Sequence, residues 1–508
     1  MKPRLRVLEF GIVALIPLLI FGTFFFAHFN RDWSVAADLE FLLAYNATLI
    51  NAGTNQEYYD HPGFFTIYFL AFLIKLSRAL GFTSISVIED LNNFSPLFNG
   101  FTQVTVVARF LAVSTVGILI FWWFWIARRF LNHQYLALWI VLCIFFSGSM
   151  TLHYSQLRTE PIAFLFLIAA VLCLAKILVT AGNGKIILFF FAVLFAFLAA
   201  LNKTQVIFYL PIYFFWAICF FPHQATKKKL PYRHRTQALF TLLGSVVCIY
   251  IACKYAIYPS QYFNGAFLLS LYFVIWFYWR NVGGNLSIQI NLFNLFFIFI
   301  FLLIQFSLKI YGLNALELLK QIQSPLGMLV FSSRNIQGIF ATPLSSNTFD
   351  FYMTIKYIFN PIKNVLGTLS SQSIFFYSNI LLWALLRKNL NCKDNLGLVV
   401  SLVSFFMVTD ITSTRYAAAQ YIIFSEFFLI AAFIFLISKL ENRRLQWLLV
   451  IGIGALIIYC GFPKLWRDLN STSNGYASLC NPTNDYMRFW HPKLNYQNFL
   501  DACKAKGF

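Results

Sequence analysis

Residues 7–29 read VLEFGIVALIPLLIFGTFFFAHF and follow directly on MKPRLR. The stretch is long enough to cross a bilayer, which takes about 20 residues, and it lacks the small-residue cleavage site of a removable signal peptide. It is therefore expected to be an uncleaved first helix with its basic N-terminus in the cytoplasm. Twelve further apolar segments follow, near 105–127, 136–153, 161–180, 186–201, 206–221, 238–256, 264–279, 286–308, 372–386, 396–411, 417–437 and 445–462. Hydrophobic residues make up 60% of the 508 positions, charged residues 11%, and the mean hydropathy is +0.71. A soluble domain carries about a quarter charged residues, and too little polar surface remains here to cover an aqueous fold. Soluble enzymes, coiled coils and disordered tails are excluded. The expected fold is an all-α polytopic membrane protein with about 13 transmembrane helices and external juxtamembrane helices.

Sidedness follows from the basic residues. The connections ARRF, GNGK, HQATKKKLPYRHRTQ, WRNVGG, LRKNLNCKD and SKLENRR, with the N-terminus and Lys176, hold 19 of the 38 Lys and Arg in short loops. The other 19 are spread over about three times as much chain, which makes the first set cytoplasmic by the positive-inside rule. An odd number of spans puts the C-terminus outside. The chain is thus expected to divide into a transmembrane domain, 1–462, with external loops at 30–104 and 309–371, and a small external tail, 463–508. Seven of the eighteen carboxylates, Asp32, Asp38, Glu40, Glu57, Asp60, Glu89 and Asp90, fall in the first external loop. A site of chemistry is expected on that outer side.

The net charge of +20 comes from dispersed clusters between apolar runs, so anionic lipids, and not nucleic acid, are the expected partners. The nine cysteines show no CxxC or Cys/His metal spacing. In the tail, Cys480 and Cys503 flank a stretch too short and polar to build its own core, and a disulfide between them is the expected staple. No phosphate-binding loop, HExxH, GxSxG or EF-hand pattern occurs, so energy for an outward-facing reaction has to come from an activated substrate.

Within the first loop, Ala37–Ile50 has helical apolar spacing and an Asn-Ala-Gly end, predicting an amphipathic helix on the membrane surface. Asp38 and Glu40 sit in its first turn, where acids complement the helix dipole. Tyr58-Tyr59-Asp60-His61-Pro62-Gly63 then forms a turn before an apolar helix of about 17 residues, short for a span, ending near Lys75 and Arg78.

This order of elements resembles the C-type glycosyltransferase superfamily, in particular the branch of protein O-mannosyltransferases and lipid A aminoarabinose transferases. Those enzymes carry a catalytic acid at the place of Asp38 and an aromatic-acid-basic-Pro turn where Tyr59-Asp60-His61-Pro62 stands. Arg109 opens the second span and Ala127-Arg128-Arg129 closes it, as in the family. Tyr154-Ser155-Gln156-Leu157-Arg158-Thr159-Glu160 is similar to the family's Tyr-Ser-x-x-Arg-Pro-Asp element, with Glu for Asp and Thr for Pro. Leu201-Asn202-Lys203 and Arg415-Tyr416 resemble later family elements. The likeness covers roughly residues 7–220, and 410–440 loosely.

The resemblance implies a membrane glycosyltransferase that moves a hexosyl or pentosyl group, with inversion, from a polyprenyl-phosphate donor to a lipid, glycan or protein acceptor. It acts on the outer side, most simply of a bacterial inner membrane. Asp38 is the implied base, with Glu40 and Glu160 as further catalytic acids. Tyr59, Asp60, His61, Arg158, Lys203 and Arg415 are the implied donor-phosphate and substrate ligands. No cofactor is expected, with a divalent metal ion as the alternative. Asp38-Leu39-Glu40 only approximates an Asp-x-Asp metal element, since an i,i+2 pair on a helix points to different faces. Glu426, inside the span near 417–437, is a further candidate because a charge there is costly. The rival readings are a lipid-diphosphate-dependent glycan polymerase or ligase, and a lipid or sugar transporter or flippase, for which discontinuous helices would be the sign.

Overall fold

In a computed structural model the structure describes residues 32–36, 40–54, 56–57, 63–131, 133–179, 184–203, 206–220, 367–413, 421–470, 475–481, 487–488 and 491–508, with Gly22. Fifteen α-helices, one short 3-10 helix (Trp33–Ala36) and no strand are present among the described residues. They are α1 (Leu42–Asn51), α2 (Phe64–Ala79), α3 (Ile88–Asn92), α4 (Leu97–Phe130), α5 (Gln134–Phe145), α6 (Gly148–Ser155), α7 (Glu160–Val179) and α8 (Gly184–Asn202). There follow α9 (Val206–Phe220), α10 (Ser371–Leu386), α11 (Cys392–Ser413), α12 (Ile422–Ser438), α13 (Arg443–Asn470), α14 (Tyr476–Leu479) and α15 (Tyr496–Ala505).

The described residues are those of a helical membrane protein. Among the described residues, three helices, Leu97–Phe130, Cys392–Thr409 within α11 and Arg443–Pro463 within α13, are long and apolar enough to cross a bilayer, and the bent pair α5–α6, counted as one span, makes a fourth. Nine of the apolar segments expected from the sequence coincide with α4, α5–α6 and α7 to α13. The other four, 7–29, 238–256, 264–279 and 286–308, lie outside the described residues, Gly22 aside, as does most of the loop 309–371.

The bundle sorts its charges by end. Lys439, just after α12, pairs with Asp394 at the start of α11 at 3.0 Å. Trp383 near the end of α10 donates to Asn395 at 2.7 Å, and Gln446 at the start of α13 donates to the Leu440 carbonyl at 2.6 Å. Trp139 of α5 donates to Val450 of α13 at 3.2 Å, and a side chain on Gly461 would strike the Phe146 carbonyl. Helices α5 and α13 therefore run in parallel, and α13 passes close because Gly461 has no side chain. Arg128, Arg129, Arg387, Lys388, Lys393, Lys439, Arg443 and Arg444 consequently gather at one end. Glu40, Glu160, Asn202 and Lys203 gather at the other, as shown below.

The α5–α6 span breaks at Phe146–Ser147 with a bend of 66°. Breaking a helix frees backbone N–H groups that an apolar medium cannot satisfy. Here Gly148 N–H donates to Ser371 Oγ of α10 at 2.8 Å and Ser149 N–H to Glu426 Oε2 of α12 at 3.1 Å. The carboxylate meets the positive end of α6, where an anion is favoured.

A second core caps the bundle. At ~1.5 Å per residue the 34 residues of α4 span about 51 Å, against a hydrocarbon thickness of roughly 30 Å. Its first turns project beyond the bundle and are wrapped by α1, α2, α3 and the C-terminal segment. Trp33, Phe41, Tyr45, Phe98, Phe101, Tyr476, Met487 and Phe499 share this core. One expectation changes. The helix expected over 37–50 as a surface-lying amphipath is α1, and every residue from Leu42 to Leu49 is buried, because α2 covers one side and the tail covers another. Helix α13 runs on to Asn470, seven residues past Pro463, where its apolar span ends. The expected Cys480–Cys503 disulfide is present, with Cα atoms 5.6 Å apart.

Candidate functional site

Arg109 sits three turns into α4, which begins at Leu97. Its Nε donates to Glu40 Oε2 at 3.0 Å, with both side chains almost fully buried. Its Nη2 donates to the Asp32 carbonyl at 3.1 Å. The other Glu40 oxygen lies 3.4 Å from the Leu157 N–H. Glu40 is thus a buried ion-pair partner; it precedes α1, whose first turn holds no acid.

Three residues beyond Leu157, Glu160 opens α7. Its Oε1 lies 2.7 Å from Lys203 Nζ, with side chains 3% and 1% exposed respectively. The contact is ionic and lacks hydrogen-bond alignment. The ammonium also lies 5.0 Å from the centroid of the Tyr421 ring. Lys203 therefore does not snorkel to an interface. Glu160 pairs with Lys203, while Arg158 turns to Gln156: with that amide turned to present its oxygen, Arg158 Nε and Nη2 donate to it at 3.1 and 2.7 Å.

Asn202 welds the two elements beside this pair. Its Oδ1 accepts from Thr66 N–H and Thr66 Oγ1, both at 2.9 Å, its Nδ2 donates to the Thr159 carbonyl at 2.7 Å, and its own carbonyl accepts from Gly63 N–H at 3.0 Å. Gly63 has φ +44°, the left-handed region that favours glycine. The start of α2, the start of α7 and the end of α8 meet at this one side chain.

Of the residues singled out in the sequence, the structure brings Glu40, Arg158, Glu160 and Lys203 to one end of the bundle. Asp38, Tyr59, Asp60, His61 and Arg415 lie outside the described residues. Glu426 stands apart, at the break between α5 and α6. The sequence reading missed the partner of Glu40, the joint at Asn202 and the ring of Tyr421. Their only signals were position, Asn202 beside Lys203 and Arg109 at helical depth. No group of three or more His, Cys, Asp or Glu that could hold a metal ion occurs among the described residues.

Chemically, two carboxylates are each balanced by a buried cation at this end of the bundle. Such pairs are strongly destabilised by loss of one partner. No family model and no curated protein matches the chain.

Proposed function

We propose that the chain is a membrane glycosyltransferase that moves a sugar from a polyprenyl-phosphate donor to a lipid, glycan or protein acceptor, with inversion. The observation that carries this reading is the meeting of Glu40–Arg109 and Glu160–Lys203 through the Leu157–Glu160 segment, at the end of the bundle opposite the clustered Arg and Lys loops. By the positive-inside rule that end faces outward, which is where a lipid-borne sugar needs no nucleotide. The resemblance places the base at Asp38, two residues from the fixed position of Glu40. With Glu40 and Glu160 held as counter-ions, Asp38 takes the acceptor proton while cations stabilise the departing phosphate. Arg415, with His61 and Arg158, supplies that charge, Lys203 stays paired with Glu160 beneath them, Tyr59 and Asp60 shape the substrate turn, and no metal is required. A bacterial inner membrane remains the expected location.

The test is transfer by the purified protein from polyprenyl-phosphate sugars. Asp38→Asn keeps the fold and donor binding but abolishes transfer, because an amide accepts no proton from the acceptor. Arg415→Ala raises the KM for donor more than for acceptor. Near-wild-type turnover by Asp38→Asn rejects the assignment.

One observation favours the second reading, a lipid or sugar transporter or flippase. The break between α5 and α6 with the buried Glu426 at its mouth is the kind of discontinuous helix that transporters use. Substrate movement across vesicles without covalent transfer would select that reading.

A further inference from the structure

The C-terminal segment touches the candidate site through a short chain of bonds. Tyr476, in α14, donates its hydroxyl to Asp32 Oδ2 at 2.7 Å, and Ser34 N–H holds Oδ1 at 2.8 Å. The carbonyl of the same Asp32 accepts from Arg109, which pairs with Glu40. Tyr476 is therefore linked to the buried ion pair through one residue. Its ring is fixed against Trp33 at 5.9 Å and Phe98 at 5.0 Å between centroids.

The tail is anchored at two further places. Lys493 N–H donates to Tyr45 Oη at 3.0 Å, and its ammonium lies 3.4 Å from Glu57. Asn92 donates to the Lys493 carbonyl at 2.9 Å and accepts from Asn495 N–H at 2.8 Å. The Cys480–Cys503 bond joins α14, which carries Tyr476, to α15, whose Phe499 packs on Phe98 at 5.8 Å. Helix α14 has only four residues and cannot hold itself in place. The crosslink ties it to the ten-residue α15.

We propose that Tyr476 is a positioning residue for the Glu40–Arg109 pair, acting through Asp32, and that the Cys480–Cys503 bridge is the clamp that keeps it there. Asp32 has two jobs on opposite atoms. Its carboxylate is gripped by the tail, and its carbonyl orients the guanidinium. Release of the carboxylate lets the 32–41 segment turn and takes the carbonyl away from Arg109. Only the activity arm of the test rests on the glycosyltransferase reading.

The experiment compares the full-length protein with Tyr476→Phe, Asp32→Asn and Cys480→Ser/Cys503→Ser in detergent or nanodiscs, by hydrogen exchange of residues 32–51 with α11 and α12 as internal references. Tyr476→Phe keeps the ring packing and loses one hydroxyl, so the fold survives even where the double serine variant fails to fold. Exchange over 32–41 rises about tenfold in Tyr476→Phe and further in the double serine variant, with α11 and α12 unchanged. Asp32→Asn, which keeps an acceptor on the side chain, falls between wild type and Tyr476→Phe. In transfer assays Tyr476→Phe lowers kcat with donor KM unchanged, because Glu160–Lys203 is untouched. Wild-type protection over 32–41 in Tyr476→Phe overturns the proposal. A rise in exchange in a protein with no transfer activity upholds the clamp and rejects the transferase reading instead.

Discussion

The Glu160 carboxylate lies 2.7 Å from the Lys203 ammonium, at the junction where α7 begins and α8 has just ended. A helical hairpin brings its two ends together by construction, so the pair closes the loop-free end of α7–α8 electrostatically. The charges are removed from water, and each is tolerable only with the other present.

Breaking that pair from either side therefore costs stability. Lys203→Met or Glu160→Leu is expected to lose about 3–5 kcal/mol, and the double variant to recover much of it, since an apolar pair of similar volume needs no counter-ion. Thermal unfolding of the two single and one double variant measures the coupling. Additive losses would mean that the two residues do not interact.

Asn202 is expected to matter beyond its size. Asn202→Ala takes the side-chain partner from Thr66 N–H, the Thr66 hydroxyl and the Thr159 carbonyl at the α2–α7–α8 junction, while Gly63 N–H keeps the backbone carbonyl of residue 202. Each buried group so orphaned costs roughly 1–3 kcal/mol. Thr66→Val removes a single side-chain bond and is expected to cost about 1 kcal/mol. Equal stability of the two variants would contradict a three-way joint.

How far the sequence speaks is clear from these same residues. Apolar runs of about 20 residues located α4 and α7 to α13 because nothing else in a protein needs that length, and the pairing of Cys480 with Cys503 followed from a tail too polar to fold alone. Burial of α1 was not legible. Its pattern of Leu42, Leu43, Tyr45, Asn46 and Thr48 reads as amphipathic, yet its polar side chains are satisfied internally: Asn46 Oδ1 accepts from Glu57 N–H at 2.8 Å and Tyr45 donates to Glu57 at 2.6 Å. Periodicity reports polarity, and cannot say that a chain segment more than 400 residues later covers the polar face. For the same reason Arg109 was legible as a charge near a span end, while its pairing with Glu40 depends on how far α4 projects.

Glu426 is expected to act as the cap of a broken span. Glu426→Gln retains an oxygen for Ser149 N–H and is expected to change stability little, whereas Glu426→Leu leaves that N–H without its acceptor and costs about 1–3 kcal/mol. Unfolding midpoints of the two variants in the same detergent decide it. A Glu426→Gln variant as damaged as Glu426→Leu would show that the charge, and not the oxygen, is what the break requires.

Docking of the tail should depend on pH through His491. Its ring is buried between Phe41 and Tyr45, with centroids 5.1 and 4.9 Å away, and burial pushes its pKa from the usual 6.5 down to about 3. The docked tail holds the imidazole neutral, while an undocked tail titrates it near the ordinary value. Between pH 6.5 and 3 the undocked state binds more protons, so docking is fully stable above about pH 6.5 and weakens as the pH falls. From pH 7 to 5 the loss is on the order of 2 kcal/mol. Hydrogen exchange of residues 491–508, corrected for intrinsic rates, is expected to speed up over this interval in the wild-type protein. Asp32, Glu57, Lys493 and Lys506 face the same surface and remain in His491→Phe, so the difference between the two proteins isolates the imidazole. His491→Phe, which fills the same space without a titrating group, is expected to show a much flatter profile, and an identical pH response in both would assign the effect to the carboxylates.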